Sequence, residues 1–369
     1  MIIKDDVYGT IEFDELEGRI IDTYDFQRLR KITQMSVTNL VYPGANHTRF
    51  EHSLGTAYLT SMIADKLGFD EEKKKKAKIY GLLHDIGHVA FSHEGEDILQ
   101  DYIGDHEKLG KEMIQKGEIA DILNENYSAK EIAEMHGSPE GMIVEADIGS
   151  DRMDYLKRDA LNTGVAYGVI DIDRLVHTLA VEEGELCVAE RGLEAAESLL
   201  VARFMMFSTV YLHKTVRIAT AMLHRAIKKS VEDKTIKPEE FIHMGDEVAY
   251  WRMKDSPDAK KYAEGLLNRK LFKEIATIPQ KKITKEEAEK LEKELSEKFD
   301  CDIMVDYPTQ FHKNVELRVK TDEGLEQLTE ISTLVNSLQK AEEERRRVLV
   351  LAEDKTRKSK GDEIRKALG

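Results

Sequence analysis

HDIGHVAFSH, residues 84–93, sets His84, His88 and His93 beside Asp85 within ten positions. The run before it reads as a helix over 70–88. Asp70 is a capping residue, and Glu71 and Glu72 fall in the first turn, where the helix dipole favours carboxylates. Lysines 73–76 form a solvated face, and Ala77, Tyr80, Leu83 and Ile86 recur at helical spacing. On such a helix His84 and Asp85 diverge by about 100°, so both can rim one ion placed between them. His88 lies one turn on, on the face of His84. Gly87 permits a helix end or a close backbone approach. The stretch therefore reads as a helix end that carries metal-type ligands, and it points to a helical fold built around that end.

Two further ligands are available on either side. His52, in TRFEHS (48–53), offers an imidazole from a preceding helix. Asp151, in SDRMDY (150–155), offers a carboxylate from a later one. Six of the 12 histidines lie between residues 47 and 106: His47, His52, His84, His88, His93 and His106. A lone histidine on a helix is normally a satisfied structural residue. Six within about 60 residues, interleaved with carboxylates, are harder to explain that way. Mixed His/carboxylate ligation suits Mn, Fe, Co, Ni or Zn, with Mg as a second ion at an oxygen-rich position.

Outside this region the spacing stays helical from about residue 14 to 275, after a short hairpin or edge strand at 7–13. A long helix is expected over 193–230, with Leu199, Leu200, Phe204, Val210, Ile218 and Leu223 on its apolar faces. The pattern changes near residue 280. TKEEAE (284–289) opens a charged helix, 303–307 and 315–319 read as strands, 323–343 as a helix, and 348–352 as a strand before a last charged helix. The expected fold is mainly α: a helical core over 1–275 and a small α+β domain over 280–369. The basic tail KTRKSK (355–360) reads as a solvated helix face.

Composition narrows the functional classes. Of 369 residues 41% are apolar and 34% charged, which excludes collagen-like and wholly disordered chains. A net charge of −16 argues against broad coating of nucleic acid. No stretch approaches the ~18 apolar residues of a membrane helix. The opening MIIKDDVYGT lacks the apolar run of a signal peptide, so a cytoplasmic protein is expected. Cys187 and Cys301 make neither a disulfide framework nor a zinc knuckle.

The arrangement H…HD…D, at His52, His84–Asp85 and Asp151, resembles the HD-domain metal-dependent phosphohydrolases. FQRLR (26–30), YPGANHTRFEHS (42–53), HDIGHVAFSH (84–93) and DRMDYLKRD (151–159) look like one branch of it, the dNTP triphosphohydrolases. That branch includes bacterial dGTPases and the animal SAM-and-HD-domain enzyme. The resemblance covers roughly residues 1–225. It implies a divalent metal on His52, His84, Asp85 and Asp151, and triphosphate contacts from His88, Arg49 and Arg152. His93 would be the general acid beside the leaving oxygen. His106 would lie near the α-phosphate, paired with Glu96 where family members often have Asp. Tyr155 and Asp159 would hold the sugar, Gln34 would meet its 3′-hydroxyl, and Arg203 and Tyr211 would close over the substrate. The implied reaction is attack of a metal-activated hydroxide on the α-phosphorus, giving deoxynucleoside and tripolyphosphate.

The residues themselves leave alternatives open. The same ligand set would serve an HD-type enzyme acting on nucleoside monophosphates or phosphodiesters, or a non-catalytic nucleotide sensor. Asp22, Gln27 and Arg30 match positions of a guanine-nucleotide activator site in the animal enzyme, and such a site would require a homo-oligomer. Bracing of the core helices is the leading reading of those three. His47 is expected to cap or pack a turn after Gly44. His136, His177, His213, His224, His243 and His312 are taken as structural.

Overall fold

A computed structural model describes residues 1–308 and 316–368; His312 and Val315 lie outside the described residues. The chain is mainly helical, as the spacing predicts. The N-terminal hairpin pairs Ile2–Asp5 with Gly9–Glu12, so it starts earlier than the 7–13 pattern suggests. Asp5 turns it by accepting from the backbone of Val7 and Tyr8 at 2.9 and 2.8 Å.

Three helices build the frame of the site. Arg49–Leu67 runs to Gly68, whose left-handed backbone (φ 71°) reverses the chain. Glu71–Leu83 returns against it, capped by Asp70, whose carboxylate accepts from Lys73 N. Ser150–Thr163 lies across the first. The contact buries Phe50, Leu54, Leu82, Leu83, Met153 and Leu156. Each such side chain contributes roughly 1.5–3 kcal/mol, enough to fix the helices before any polar group in the site is counted. Close approach is set by Gly55, where a Cβ would lie 1.9 Å from Asp154 Oδ1.

The long apolar run after residue 193 is not one helix. Leu193–Met206 passes into a π-helical turn at Phe207–Tyr211, and a new helix, Lys214–Glu232, leaves at 65°. His213 caps that new helix, its ring accepting from Thr215 N at 3.2 Å. Among the described residues no single helix is long and apolar enough to cross a membrane.

Beyond residue 270 the chain forms strands and helices as expected, but it shares sheets with earlier segments. Lys273–Pro279, read from sequence as the end of the helical part, pairs antiparallel with Arg347–Ala352, which also pairs with Ile303–Asp306. Arg318–Thr321 lies parallel to Glu185–Ala189, with Val319 opposite Val188, and pairs antiparallel with Gly324–Gln327. This sheet includes Leu179–Glu182 and packs into the main core. The expected helix over 323–343 therefore begins with a strand, and its helical part is Leu328–Ile331 and Thr333–Arg345.

Candidate metal centre

The helix Glu71–Leu83 stops one residue before His84, so the expected continuation to residue 88 does not form. Residues 84–88 instead fold into tight turns, with Ile86 N donating to Leu83 O and His88 N to Asp85 O. Two devices hold this turn. Buried Arg28, from the FQRLR stretch, donates to His88 O and Ile86 O, both at 2.7 Å. Gly87 lets the turn press on the start of the helix His106–Ile114: a Cβ there would stand 2.1 Å from His106 O. The turn thus brings His84 and Asp85 toward the other ligands and seats His106 under His88.

Asp85 is the hub. Its Oδ2 lies 2.7 Å from Arg49 Nη1 and 3.4 Å from His52 Nε2. Its Oδ1 lies 3.4 Å from His84 Nε2 and 3.3 Å from His88 Nε2. Asp151 Oδ1 faces the same point, 3.0 Å from His52 Nε2 and 3.7 Å from His84 Nε2. The ligand atoms of His52, His84 and Asp85 all lie within 4.8 Å of one another. Bonds of about 2.1 Å to one ion place neighbouring ligand atoms about 3 Å apart, close to what is found. His52 Nε2 and His84 Nε2 are buried and lack hydrogen-bond partners among the described residues. Their other ring nitrogens are tied back, His52 Nδ1 to Asp154 at 2.8 Å and His84 Nδ1 to Gly81 O at 2.8 Å. Ligating histidines are oriented in this way, and the residues fit a divalent ion.

The electrostatics agree. Burial disfavours charge on His52, yet the Asp151 and Asp154 carboxylates outweigh it and raise the ring to about 10. The same negative field favours a divalent cation. Burial would raise the Asp85 carboxyl, but Arg49 and the neighbouring histidines hold it well below the usual carboxylate range.

A second cluster adjoins the first. The His88 ring stacks on His106, centroids 4.2 Å apart and planes at 9°, with His93 edge-on to both. Glu96 Oε2 accepts from His106 Nδ1 at 2.7 Å and lies 3.4 Å from His93 Nδ1. Burial opposes charge on His106, but Glu96 prevails and raises its pKa. Burial and Arg49 push His88 well down, so it stays neutral.

Residues 49–166 match the HD domain, and residues 170–369 match the HD associated region. The chain belongs to the HD-domain phosphohydrolase family. It is 37% identical over 361 residues to an uncharacterized protein of Methanocaldococcus jannaschii, across 92% of this chain and 76% of that one. A crystal structure of a phosphohydrolase from Bacteroides thetaiotaomicron matches with a TM-score of 0.77 at 25% identity, covering 96% of this chain and all of that one. Over 313 residues the chain is 27% identical to the Dictyostelium discoideum protein named deoxynucleoside triphosphate triphosphohydrolase SAMHD1 homolog, covering 75% of this chain and 60% of that protein.

The other sequence-derived residues of this HD-domain protein fall in four places. Arg49 is buried on Asp85, with its Nε on Ser92 Oγ at 3.0 Å. Arg152 and Arg203 both reach the Asp147 carboxylate, and the Nε of each is buried without a hydrogen-bond partner among the described residues. Asp159 is buried, its oxygens taken by Tyr211 Oη at 2.6 Å and His47 Nε2 at 2.7 Å. His47 is thus not merely a turn residue. Gln34 donates its backbone N–H to His47 O, and its buried side-chain oxygen has no hydrogen-bond partner among the described residues. Gln27 and Arg30 brace the core: Gln27 donates to Ile21 O and accepts from Arg30, which lies 3.4 Å over the Phe50 ring.

Several supporting residues escaped the sequence reading. Asp154, Arg28, Ser92, Asp147 and Asp246 are polar groups whose partners lie far away in sequence. Asp246 accepts from Thr33 N, Thr33 Oγ1 and Phe91 N at 2.9, 2.6 and 2.7 Å. One signal was present: Asp154 and Arg158 sit one helical turn apart within DRMDYLKRD, the spacing of a paired helix face.

Proposed function

We propose that the chain hydrolyses deoxynucleoside triphosphates to deoxynucleoside and tripolyphosphate. In this reading His52, His84, Asp85 and Asp151 hold one divalent ion of the Mn, Fe, Co, Ni or Zn class. Such an ion supplies a water of lowered pKa and polarises a phosphoryl oxygen. The observation that carries the reading is the His106–Glu96 pair, stacked against His88 one imidazole from Asp85. It sets a stored proton beside the metal ligands, as cleavage of a phosphoester requires.

Each remaining residue then has a task. His106 holds its proton more firmly than a free imidazole because Glu96 stabilises the charged ring against burial. His93, half exposed at the rim and within reach of Glu96, delivers a proton to the departing 5′-oxygen. Neutral His88 fixes the spacing between Asp85 and the proton store. Arg49 acts from behind, keeping Asp85 ionised. Arg152 and Arg203 share one carboxylate, which leaves a surplus positive charge and free donors for a polyphosphate. Asp151, Tyr155 and Asp159 follow one another every fourth residue on one helix face, spanning about 12 Å at 1.5 Å per residue. A nucleotide anchored at Asp151 would lay its sugar along Tyr155. Gln34, tied by its backbone N–H to His47 O, would accept from the 3′-hydroxyl through its buried side-chain oxygen.

The similarity to the Dictyostelium protein supports the triphosphate over other phosphoesters. The test is a product assay. Protein is incubated with each dNTP and Mn²⁺, Co²⁺ or Mg²⁺, with and without GTP or dGTP, and products are separated by ion exchange. Deoxynucleoside with intact tripolyphosphate is expected. Release of monophosphate and pyrophosphate, or turnover of nucleoside monophosphates alone, would overturn the substrate assignment. Rate or mass dependence on added GTP would point to a guanine-nucleotide activator and a homo-oligomer.

A further inference from the structure

The second histidine cluster has the composition of a metal site in its own right. Ligand atoms of His88, His93, Glu96 and His106 lie within 4.8 Å of one another. Three Nδ1 atoms converge on one oxygen, Glu96 Oε2: His106 at 2.7 Å, His93 at 3.4 Å and His88 at 4.0 Å. His88 supplies an independent observation. Its ring is fully buried, and neither nitrogen has a hydrogen-bond partner among the described residues. Its Nδ1 is aimed into the cluster, 4.0 Å from Glu96 Oε2, and its Nε2 lies 3.3 Å from Asp85 Oδ1. A buried ring nitrogen left without a partner is costly, and an ion bound within the cluster satisfies it.

We propose that His88, His93, Glu96 and His106 form a second divalent-cation site, separate from the His52–His84–Asp85–Asp151 set. Three imidazoles and one carboxylate select a borderline ion such as Zn²⁺, Co²⁺ or Ni²⁺ over Mg²⁺ or Ca²⁺. Entry is from the rim, where the His93 side chain is 54% exposed, while His88 closes the inner wall. Binding displaces the Nδ1 proton of His106 to solvent, and that nitrogen and Glu96 Oε2 turn from each other to the ion. The ion therefore competes with the proton. If His106 feeds the proton to the leaving group, as proposed above, occupancy of this site inhibits turnover. That consequence rests on the proposed mechanism, whereas the stoichiometry does not.

The test is a Co²⁺ titration of chelator-stripped full-length protein, followed by the visible d–d bands and by equilibrium dialysis. The expected result is two equivalents for the native chain and one for Glu96→Gln and for His106→Ala, with His84→Ala losing the other equivalent. Circular dichroism establishes that each variant is folded. Saturation of the native chain at one equivalent, or two equivalents retained in folded Glu96→Gln and His106→Ala, would overturn the proposal. Two equivalents with undiminished turnover would keep the site and remove His106 from proton delivery.

Discussion

Asp154 Oδ2 lies 2.8 Å from His52 Nδ1 and 2.9 Å from Arg158 Nε, so one buried carboxylate aims a metal-facing imidazole and neutralises a buried guanidinium. The bond to Nδ1 leaves His52 Nε2 pointing at Asp85 and Asp151. Removing such a support costs about 10–100-fold in metal affinity. Asp154→Asn is predicted to weaken metal binding by that factor. It should also lower the melting temperature, because breaking a buried pair costs about 3–5 kcal/mol and, among the described residues, Arg158 keeps only the Asp5 and Asp6 carboxylates. Chelator competition and a thermal melt check this; unchanged affinity would show that His52 needs no such orientation.

Asp85 lies within 3.4 Å of Arg49, His52, His84 and His88, and His84 Nε2 faces both Asp85 and Asp151. Asp85→Ala and His84→Ala are each predicted to abolish turnover by removing the ion. Metal content by plasma emission, measured beside the rate, decides the matter: full metal content with full rate would refute the ligand assignment.

How much of this was readable in the sequence depends on distance along the chain. His52, His84, Asp85 and Asp151 stand out because histidines and carboxylates are dense there, and helical spacing explains how they can face one point. Asp246 gives no such sign, since its partners Thr33 and Phe91 lie 213 and 155 residues away. The break at Phe207–Tyr211 was equally hidden, because apolar residues continue on both sides and the period alone cannot register a bend. The parallel pairing of Val188 with Val319 joins segments 131 positions apart, beyond any local signal. The turn at 84–88 shows the reverse. Gly87 was noticed as permissive, but only the packing against His106 O shows why a side chain is excluded.

Asp246 anchors a strained loop. Phe91 and Ser92 have φ of 69° and 56°, sparsely populated for residues with side chains. Ser92 Oγ in turn holds Arg49 and donates to Thr33 O. Asp246→Ala would leave two backbone donors, Thr33 N and Phe91 N, without a partner, at about 1–3 kcal/mol for each that stays buried, while Thr33 Oγ1 keeps Ser36 O at 3.4 Å. A clear fall in melting temperature is predicted, with kcat falling too as Arg49 loosens on Asp85; Asp246→Asn should be milder. An unaltered melt for the alanine variant would contradict this.

Glu96 sets the pH range of the proton store. Its carboxylate raises the His106 pKa, so the proton is present below that raised value and lost as pH climbs through it. Without the carboxylate, burial and Arg49 lower the pKa, opposed only by the weaker pull of Asp85. In Glu96→Gln the alkaline limb of the kcat profile should therefore move to lower pH, with a fall in kcat of about 10²-fold or more at neutral pH, the scale of general acid catalysis. A profile with its alkaline limb in place would remove the His106–Glu96 pair from proton transfer.

The most direct test of the central claim is turnover of a dNTP in H₂¹⁸O with mass analysis of both products. Attack on the α-phosphorus with loss of the 5′-oxygen predicts ¹⁸O in the tripolyphosphate and none in the deoxynucleoside. Label in the deoxynucleoside, or release of nucleoside monophosphate with pyrophosphate, would contradict it.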